Sequence, residues 1–468
     1  MERRDRWTVV VTLGLLQVFV IAAGIHVITN DVNLSALTGL PRPAPPAEPP
    51  PVPVVTAGPV LAAGGNGPLP AKGTLAARLA DALGDPALGD SVGASVMDTA
   101  TGTVLYGSGS DSGITPASTT KIVTSVAALA SIGPEARLAT RVVTGSAKGS
   151  IVLVGGGDPT LLGPKAPRHP PYPKQASLAQ LAQSTAQALQ AKGVDKVTLG
   201  YDDSLFTGPR LGPGWKPGYV PEGNVSPVTA LAIDEGRRGP DLRARVADPP
   251  RVAATAFAKL LAKYGVSASA SVKRVRAGRQ AAELARVESA PMYALVERAL
   301  TMSDNDLSEA LARHVAIKEG RPASFAGAAQ AVRAVLGRLN AGKGVEVHDG
   351  SGLSTKNRIS PSGLARLLTA AASPANPRLH AVASGMPIAA FSGTLDDRFG
   401  DKESIPGAGL VRAKTGTLNG VNTLAGLATT IDGRLIAFAF MADDVRSGWG
   451  EAEAALDRLA AIVSRCGC

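Results

Sequence analysis

An uncharged, apolar stretch near the N-terminus constrains this chain most. Trp7 to Thr29 contains no Asp, Glu, Lys or Arg and is rich in Val, Leu, Ile, Ala and Phe. At about 1.5 Å per residue, a helix of this length spans a bilayer core of roughly 30 Å. Arginines precede the stretch and Asp31 follows it, which places the N-terminus in the cytoplasm. We therefore predict a cytoplasmic tip and transmembrane anchor over residues 1–30.

This pattern predicts a single-pass protein of the cell membrane whose remaining residues are extracytoplasmic. A secreted protein with a cleaved signal is less favoured, because signal cores typically run about 7 to 15 residues. Proline-rich runs followed by Gly-rich sequence occupy Pro41 to Pro70. We expect residues 31–72 to form an extended, semi-rigid linker without a core.

Charge and residue types limit the partners. The formal net charge is +10, which favours anionic partners such as cell-wall polymers or membrane surfaces. A basic surface without a dedicated partner explains it equally well. No dense Lys/Arg stretch is interleaved with aromatic residues, so no nucleic-acid partner is expected. The five scattered histidines and the pair Cys466 and Cys468 show no metal-ligand spacing, so we expect no metal and no cofactor.

The two ends of the folded part carry matching patterns. A helical pattern after Gly73 precedes two strands around the turn Thr101-Gly102. Near the C-terminus, turn dipeptides separate three further strands, and an amphipathic helix follows them: 410–414, 423–430 and 435–441, then 451–463. We predict that 73–140 and 290–468 form one domain, with one antiparallel sheet and both terminal helices on one face.

Residues 141–289 interrupt this domain. They contain short strand-like pieces such as Ile151 to Val154 and Val197 to Tyr201, with turns between them. We expect an inserted, mostly β domain.

Ser118-Thr119-Thr120-Lys121 is the first motif with chemical content. Apolar residues recur at helical spacing after it, so Ser118 is predicted to open a buried helix. Residues at i and i+3 share a helix face, which brings Lys121 within reach of the Ser118 hydroxyl. Burial and the helix dipole would favour a neutral lysine, the base that a serine nucleophile needs. Alone, the tetrad is more often an N-cap serine with a solvated lysine.

Two further motifs change that interpretation. Ser303-Asp304-Asn305 falls on a short connection between two helical patterns, and Lys414-Thr415-Gly416-Thr417 ends a predicted strand. Each is by itself an ordinary turn, cap or strand end. All three motifs in this order are the signature of class A β-lactamases and penicillin-binding proteins.

Together with Gly157 to Leu161 and Asp349 to Ser354, these motifs make the chain resemble a known family. It resembles the D-alanyl-D-alanine carboxypeptidase/endopeptidases of the penicillin-binding protein 4 type, peptidase family S13, from residue 73 to the end. The 185 positions between Ser118 and Ser303 (303 − 118) fit the large insertion of that family. The resemblance implies an α/β (α+β), β-lactamase/transpeptidase-like fold with a five-stranded antiparallel sheet flanked by helices.

The resemblance also implies residue roles. The implied catalytic residues are Ser118, Lys121, Ser303 and Asn305. The implied substrate-binding residues are Asp304, Lys414, Thr415, Gly416 and Thr417. Ser118 would attack the penultimate D-alanyl carbonyl of peptidoglycan stem peptides, and the backbone N–H groups of Ser118 and Thr417 would form the oxyanion hole. β-Lactams would inhibit the enzyme through a long-lived acyl-enzyme.

Alternatives stay open at this point. Class A β-lactamases deacylate with the Glu of a Glu-x-x-Leu-Asn loop, but Leu336-Gly337-Arg338 precedes Leu339-Asn340 here. A non-catalytic penicillin-sensing or wall-binding protein is a second alternative. Carboxypeptidase and endopeptidase activity are not distinguished, and Asp349 to Ser354 either lines the cleft or forms a plain surface turn.

Overall fold

The computed structural model describes residues 12–22, 67–269 and 272–466. The chain divides into two compact units, Met1–Ala62 and Ala63–Cys468. In the first unit, residues 12–22 are helical. Among the described residues, no helix combines the length and the apolar character needed to cross a bilayer. Most of the predicted anchor (1–30) and linker (31–72) lies outside the described residues, so both stay predictions.

The second unit begins with the predicted helix and strand pair. Its first elements are α1 (Lys72–Leu83), β1 (Val92–Asp98), β2 (Val104–Ser108) and α2 (Thr120–Ser131). β1 and β2 pair antiparallel, and Gly102 supplies the positive φ of +71° that their turn requires. Ser118 lies in a single 3₁₀ turn, Ala117–Thr119, directly before α2.

The inserted region follows as a sheet with two helices. Its elements are β3 (Ala139–Thr144), β4 (Ser150–Val154), α3 (Leu178–Gln190), β5 (Lys196–Asp202), α4 (Pro249–Lys263), β6 (Ser267–Ala268), β7 (Lys273–Arg274) and β8 (Glu283–Glu288). The strand order is β6-β5-β4-β3-β8, with β7 beside β5. The strands expected near 151–154 and 197–201 are confirmed, whereas α3 and α4 were not predicted.

Both unpredicted helices belong to the core of this region. Leu181 of α3 and Phe257 of α4 are fully buried in a hydrophobic cluster that also contains Val142, Leu153 and Leu199. The insertion therefore buries its own apolar side chains between helices and sheet. Its status as a separate domain with boundaries at 141 and 289 stays a prediction.

Helices surround α2 after the insertion. The elements are α5 (Met292–Thr301), α6 (Asn305–Lys318), α7 (Phe325–Arg338), β9 (Val345–Glu346), β10 (Arg358–Ile359), α8 (Pro361–Ala372) and α9 (His380–Ser384). They share one large hydrophobic cluster with α2, in which Ile122, Val126 and Leu129 are fully buried. The helix behind Ser118 is therefore enclosed, as the sequence predicted.

The chain returns to the first sheet at its end, with β11 (Val411–Leu418), β12 (Val421–Thr429), β13 (Leu435–Ala442) and α10 (Trp449–Ser464). The five-stranded sheet has the order β11-β12-β13-β1-β2, and all its pairs are antiparallel. Leu79 of α1 and Leu459 of α10 share a buried cluster with Phe438 of β13. The predicted sheet, with both terminal helices on one face, is confirmed.

β11 is an edge strand whose outer side is partly covered. The Ala413 N–H donates to the Pro387 carbonyl at 3.0 Å, so residues 387–389 protect this part of the edge. Alternate residues of an antiparallel strand direct their backbone groups to the same side. The backbone groups of Thr415 and Thr417 therefore point outwards, beyond the covered part.

Candidate active site

A tight turn presents Ser118. Ala117 before it has a positive φ of +47°, which is uncommon for a residue with a side chain. The Pro116 carbonyl accepts hydrogen bonds from the hydroxyls of Thr119 at 2.6 Å and Thr423 at 2.9 Å. The second bond ties the turn to β12, so the sheet holds the half-buried Ser118 in place.

Lys121 lies against Ser118 and is fully buried. Its Nζ is 2.9 Å from Ser118 Oγ, 2.7 Å from Asn305 Oδ1 and 2.7 Å from the Ser351 carbonyl oxygen. Burial lowers the pKa of Lys121 from its ordinary value to about 8, although surrounding carboxylates, foremost that of Asp349, favour the charged form. Lys121 is therefore neutral far more often near neutral pH than a solvent-exposed lysine is.

The three contacts of Lys121 determine where its lone pair points. A neutral amine has two N–H groups and one lone pair. The carbonyl oxygens of Asn305 and Ser351 can only accept, so they take both N–H groups. The remaining lone pair then faces Ser118 Oγ, whose hydroxyl can donate to it. In its neutral form, Lys121 therefore has the geometry to accept a proton from Ser118.

Asn305 and Ser303 lie at the start of α6. The Asn305 Nδ2 group donates to the Asn224 carbonyl at 2.8 Å, so the insertion orients the amide that contacts Lys121. Ser303 is half-buried and has a positive φ of +53°. Its hydroxyl forms no hydrogen bond to any described residue, so it can bond a substrate.

Asp304 makes contacts that were not predicted. Its carboxylate accepts from the Leu307 N–H at 2.9 Å as the N-cap of α6 and lies 3.3 Å from Arg298 Nε. Burial raises the pKa of Asp304. Helix capping and an ion pair engage this buried carboxylate, so Asp304 positions the start of α6, and its expected substrate-binding role stays a prediction.

Behind the motif lies a buried acidic cluster, in which Glu235, Asp304 and Asp306 place carboxylate oxygens within 4.8 Å of one another. Three guanidinium groups form ion pairs with these carboxylates, those of Arg237, Arg245 and Arg298. These guanidinium groups already occupy the carboxyl oxygens that could bind a cation, so the ion pairs account for the cluster. We assign the cluster to the junction between the insertion and α6.

Lys414 and Gly416 lie on β11, the strand that passes beside the Ser118 turn. Lys414 is fully buried, and burial holds its pKa well below the ordinary value. Its Nζ donates to the Thr415 carbonyl at 2.9 Å. A Cβ at Gly416 would lie 3.1 Å from the Ser118 backbone nitrogen and 2.2 Å from Thr423 Oγ1. Only glycine lets β11 approach the nucleophile turn this closely.

Thr417 contacts a residue that was not predicted. Its hydroxyl donates to Glu453 Oε1 on α10 at 3.2 Å. Arg398 holds Glu453 through its backbone carbonyl at 3.0 Å and its carboxylate at 3.6 Å. A carboxylate therefore lies beside the expected carboxylate-binding end of β11.

The stretch Asp349 to Ser354 lines the site. Ser351 supplies the carbonyl that binds Lys121, and the buried Glu309 accepts from the Gly350 and Ser351 N–H groups at 3.0 and 2.8 Å. A Cβ at Gly352, whose φ is +90°, would lie 1.8 Å from the Ala117 carbonyl oxygen. The open choice between cleft wall and surface turn is decided in favour of the wall.

The insertion also holds this stretch. The Trp215 Nε1–H donates to Asp349 Oδ2 at 2.8 Å, and the Ser354 hydroxyl donates to the Pro213 carbonyl at 2.6 Å. Asp349 additionally accepts from the N–H groups of Gly352 and Ser354 at 3.0 and 2.7 Å. The inserted region thus supports both the Ser351 carbonyl and Asn305.

The structure therefore joins two predicted motifs directly and a third by backbone approach. Ser118, Lys121 and Asn305 are hydrogen-bonded, and Gly416 abuts the Ser118 backbone. The structure combines a half-buried serine, a buried lysine and an open strand edge on a five-stranded antiparallel sheet with helices on both faces. This combination defines the penicillin-binding class of serine acyl-transfer enzymes.

The comparison with known families is more specific. The D-Ala-D-Ala carboxypeptidase 3 (S13) family matches residues 75–244 and 238–464. The chain belongs to this family and is a hydrolase. It is 36% identical over 438 residues to the carboxypeptidase Rv3627c of Mycobacterium tuberculosis, covering 92% of this chain and 91% of the relative.

Two further relatives agree. The carboxypeptidase DacB of Mycolicibacterium smegmatis is 34% identical over 457 residues, covering 96% of this chain and 97% of its own. The crystal structure of penicillin-binding protein 4 from Haemophilus influenzae has the same fold, with a TM-score of 0.67 at 23% identity. It covers 83% of this chain and 98% of its own. The expected fold class is confirmed.

Proposed function

We propose that this protein is a serine-type D-Ala-D-Ala carboxypeptidase that trims peptidoglycan stem peptides through an acyl-enzyme at Ser118. The observation that carries the proposal is the buried Lys121, whose Nζ lies 2.9 Å from Ser118 Oγ and whose pKa is about 8 because of burial. Membership of the S13 family and two relatives named carboxypeptidases support the same reaction.

In the acylation step, neutral Lys121 takes the Ser118 hydroxyl proton while the oxygen attacks the carbonyl carbon of the penultimate D-alanine. A C–O bond forms and the carbonyl oxygen becomes an oxyanion. The N–H groups of Ser118 and Thr417 are the proposed donors to it. The close approach of Gly416 to the Ser118 nitrogen and the outward direction of the Thr417 backbone support this assignment.

Collapse of the intermediate breaks the C–N bond, and the proton carried by Lys121 passes to the leaving amine of the terminal D-alanine. Ser303 is the proposed relay, because its half-buried hydroxyl is free of other described partners. Asn305 is the proposed partner of the substrate amide, and the hydrogen bond from its Nδ2 group to the Asn224 carbonyl at 2.8 Å supports this by orienting the side chain.

The terminal carboxylate is assigned to Lys414, Thr415 and Thr417. Burial disfavours the charged form of Lys414, but an arriving carboxylate would favour it. Substrate binding and protonation of Lys414 are therefore coupled.

Deacylation follows the same steps, with water as the nucleophile in place of Ser118. Lys121, neutral again after the amine has left, takes a proton from water as it attacks the Ser118 ester. The bond between Ser118 Oγ and the acyl carbon then breaks, Lys121 returns the proton to Oγ, and the D-alanyl acid is released. When a β-lactam acylates Ser118, its leaving amine remains covalently attached, so the departed group still fills the space that water needs. This explains the expected long-lived acyl-enzyme.

Two assays on the full-length protein test the proposal. Ser118→Ala should abolish both labelling by a fluorescent penicillin and release of D-alanine from a peptide ending in Lys-D-Ala-D-Ala. Ser125→Ala is the matched control, because Ser125 is a buried serine of α2, which follows Ser118, and its hydroxyl has no hydrogen-bond partner among the described residues. Labelling that persisted in Ser118→Ala would contradict the proposal.

The same assays separate the alternatives. Rapid nitrocefin turnover would identify a β-lactamase, and labelling without D-alanine release would identify a penicillin sensor. Glu309, the buried glutamate of the site, accepts two backbone N–H groups and has no exposed surface. It is therefore not placed to activate a water molecule for deacylation, which favours slow release of penicillin.

Endopeptidase activity and membrane location extend the proposal. Both activities cleave after a D-alanyl carbonyl, and digestion of crosslinked muropeptides with release of monomers would establish the second one. The apolar stretch Trp7 to Thr29 supports a single-pass anchor with an extracytoplasmic catalytic domain. Recovery of the native protein in the membrane fraction, resistant to high-salt washing, would test the anchor.

A further inference from the structure

The excess positive charge of this chain is concentrated in the insertion. Residues 141–289 contain 21 Lys and Arg against 11 Asp and Glu, whereas all other residues together contain 27 of each. The net charge of +10 therefore belongs to the insertion, and the remainder is formally neutral. A charge of one sign on one region attracts oppositely charged molecules over about 10 Å at moderate salt.

Helix α4 of the insertion carries part of this charge beside a groove of about 560 Å³. The floor of the groove is apolar and consists of Val252, Ala256 and Leu260. The rim is cationic and consists of Arg251, Lys259 and Lys263. All three cationic residues are exposed, whereas Leu260 is only 8% exposed.

The rim charges form a row. Arg251, Lys259 and Lys263 are separated by multiples of four residues, so they share one side of α4. With about 1.5 Å of rise per residue, the row is about 18 Å long. Arg251 pairs with the half-buried Asp248 at 3.2 Å, but neither lysine forms an ion pair within the described part of the chain. The row keeps a net positive charge.

We propose that this groove binds a linear polyanion, of the phosphodiester or uronate type, independently of catalysis. Repeating anionic groups along one chain match a row of cations about 18 Å long, and a polymer chain is narrow enough to reach the apolar floor. A bilayer does not fit as well, because surface-binding helices project their large apolar side chains into the lipid. Here the apolar residues are recessed below the charges.

Binding of the full-length protein to fluorescently labelled inorganic polyphosphate tests the proposal. The triple variant Arg251→Gln, Lys259→Gln, Lys263→Gln should weaken binding at least about tenfold at low salt. It should also reduce the slope of log affinity against log salt by about 2 to 3. Glutamine retains helix propensity, and labelling by fluorescent penicillin verifies that the fold and Ser118 are intact.

A second triple variant controls for charge alone. Lys318→Gln, Arg321→Gln, Arg333→Gln removes the same charge from exposed positions outside the insertion and should change the affinity less than about twofold. Equal weakening by both triple variants would overturn the proposal, because it would show a dependence on total charge. Should the first triple variant lose penicillin labelling, Lys259→Gln alone replaces it, with about threefold weakening expected.

Two further probes identify the occupant. Polygalacturonate binding as tightly as polyphosphate supports a site for any polyanion, and preference for polyphosphate supports a phosphodiester polymer. Failure of both probes to bind refutes the proposal. Vesicles of phosphatidylcholine and phosphatidylglycerol are the last probe. If the first triple variant lost vesicle binding but kept polyphosphate binding, the row of cations would be assigned to a membrane surface instead.

Discussion

Replacing Asn305 with Asp tests whether neutral Lys121 is the base. The two side chains are nearly equal in size, and the new carboxylate would occupy the position of Asn305 Oδ1, 2.7 Å from Lys121 Nζ. An opposite charge this close raises a lysine pKa by about 1 to 3 units. From about 8, the pKa of Lys121 would rise to about 9–11.

The direction of the change in acylation rate depends on which protonation state of Lys121 reacts. Only neutral Lys121 accepts the Ser118 proton, and its fraction at pH 7 falls about tenfold for each unit by which the pKa rises. Asn305→Asp should therefore slow acylation at pH 7 by about 10- to 1000-fold. Above the new pKa the amine is neutral again, so most of the lost rate should return.

The assay is the second-order rate constant of acylation by a fluorescent penicillin between about pH 6 and pH 11. The wild-type rate should rise about tenfold per pH unit and level near pH 8, whereas that of Asn305→Asp should continue to rise. Asn305→Ala removes the acceptor without adding charge, so it should slow acylation without moving the midpoint upwards. An Asn305→Asp midpoint equal to that of the wild type would refute Lys121 as the base.

Three more substitutions probe the walls of the cleft. Trp215→Phe removes the donor to Asp349 and leaves a buried acceptor short of one bond, so the unfolding free energy should fall by about 1–3 kcal/mol; an unchanged melting temperature would contradict this. Gly416→Ala places a Cβ 3.1 Å from the Ser118 nitrogen and should slow acylation at least about 100-fold. A near-normal rate would argue against an oxyanion hole formed by the N–H groups of Ser118 and Thr417. Glu453→Gln removes a negative charge from the carboxylate-binding end of β11. KM for a D-Ala-D-Ala peptide should therefore fall about fivefold at nearly constant kcat. A higher KM would contradict binding of the terminal carboxylate at this end.

Local patterns were sufficient to predict the sheet and the Ser118–Lys121 pair. The pair depends on i, i+3 spacing within one helical segment, and the strands depend on alternation interrupted by turn dipeptides such as Asn419-Gly420 and Asp432-Gly433. Such signals lie within a few residues of the feature that they predict. Their agreement with the structure reflects this short range.

Contacts between distant segments carried no such signal. Lys121 binds the carbonyl of Ser351, 230 positions away, and Asn305 binds that of Asn224, 81 positions away. A backbone carbonyl can belong to any residue type, so no residue pattern marks it. Glu453 likewise has the sequence context of an ordinary solvated residue on an amphipathic helix.

The two helices of the insertion were missed for a different reason. Ser177 caps α3, and Pro249 and Pro250 occupy the first turn of α4, so start signals were present. Both helices are amphipathic, but each lies between short strand-like pieces of the sequence. The short strand-like pieces nearby therefore dominated the prediction.

The partly covered edge of β11 limits what else can bind there. An exposed strand edge is a template for adding any extended chain, including another copy of the same protein. Here the Pro387–Ala413 bond closes the edge up to the catalytic motif, and β11 itself ends at Leu418. The opening is just long enough for the last residues of a peptide, so the arrangement that admits the substrate also protects this edge of the sheet from pairing with another copy.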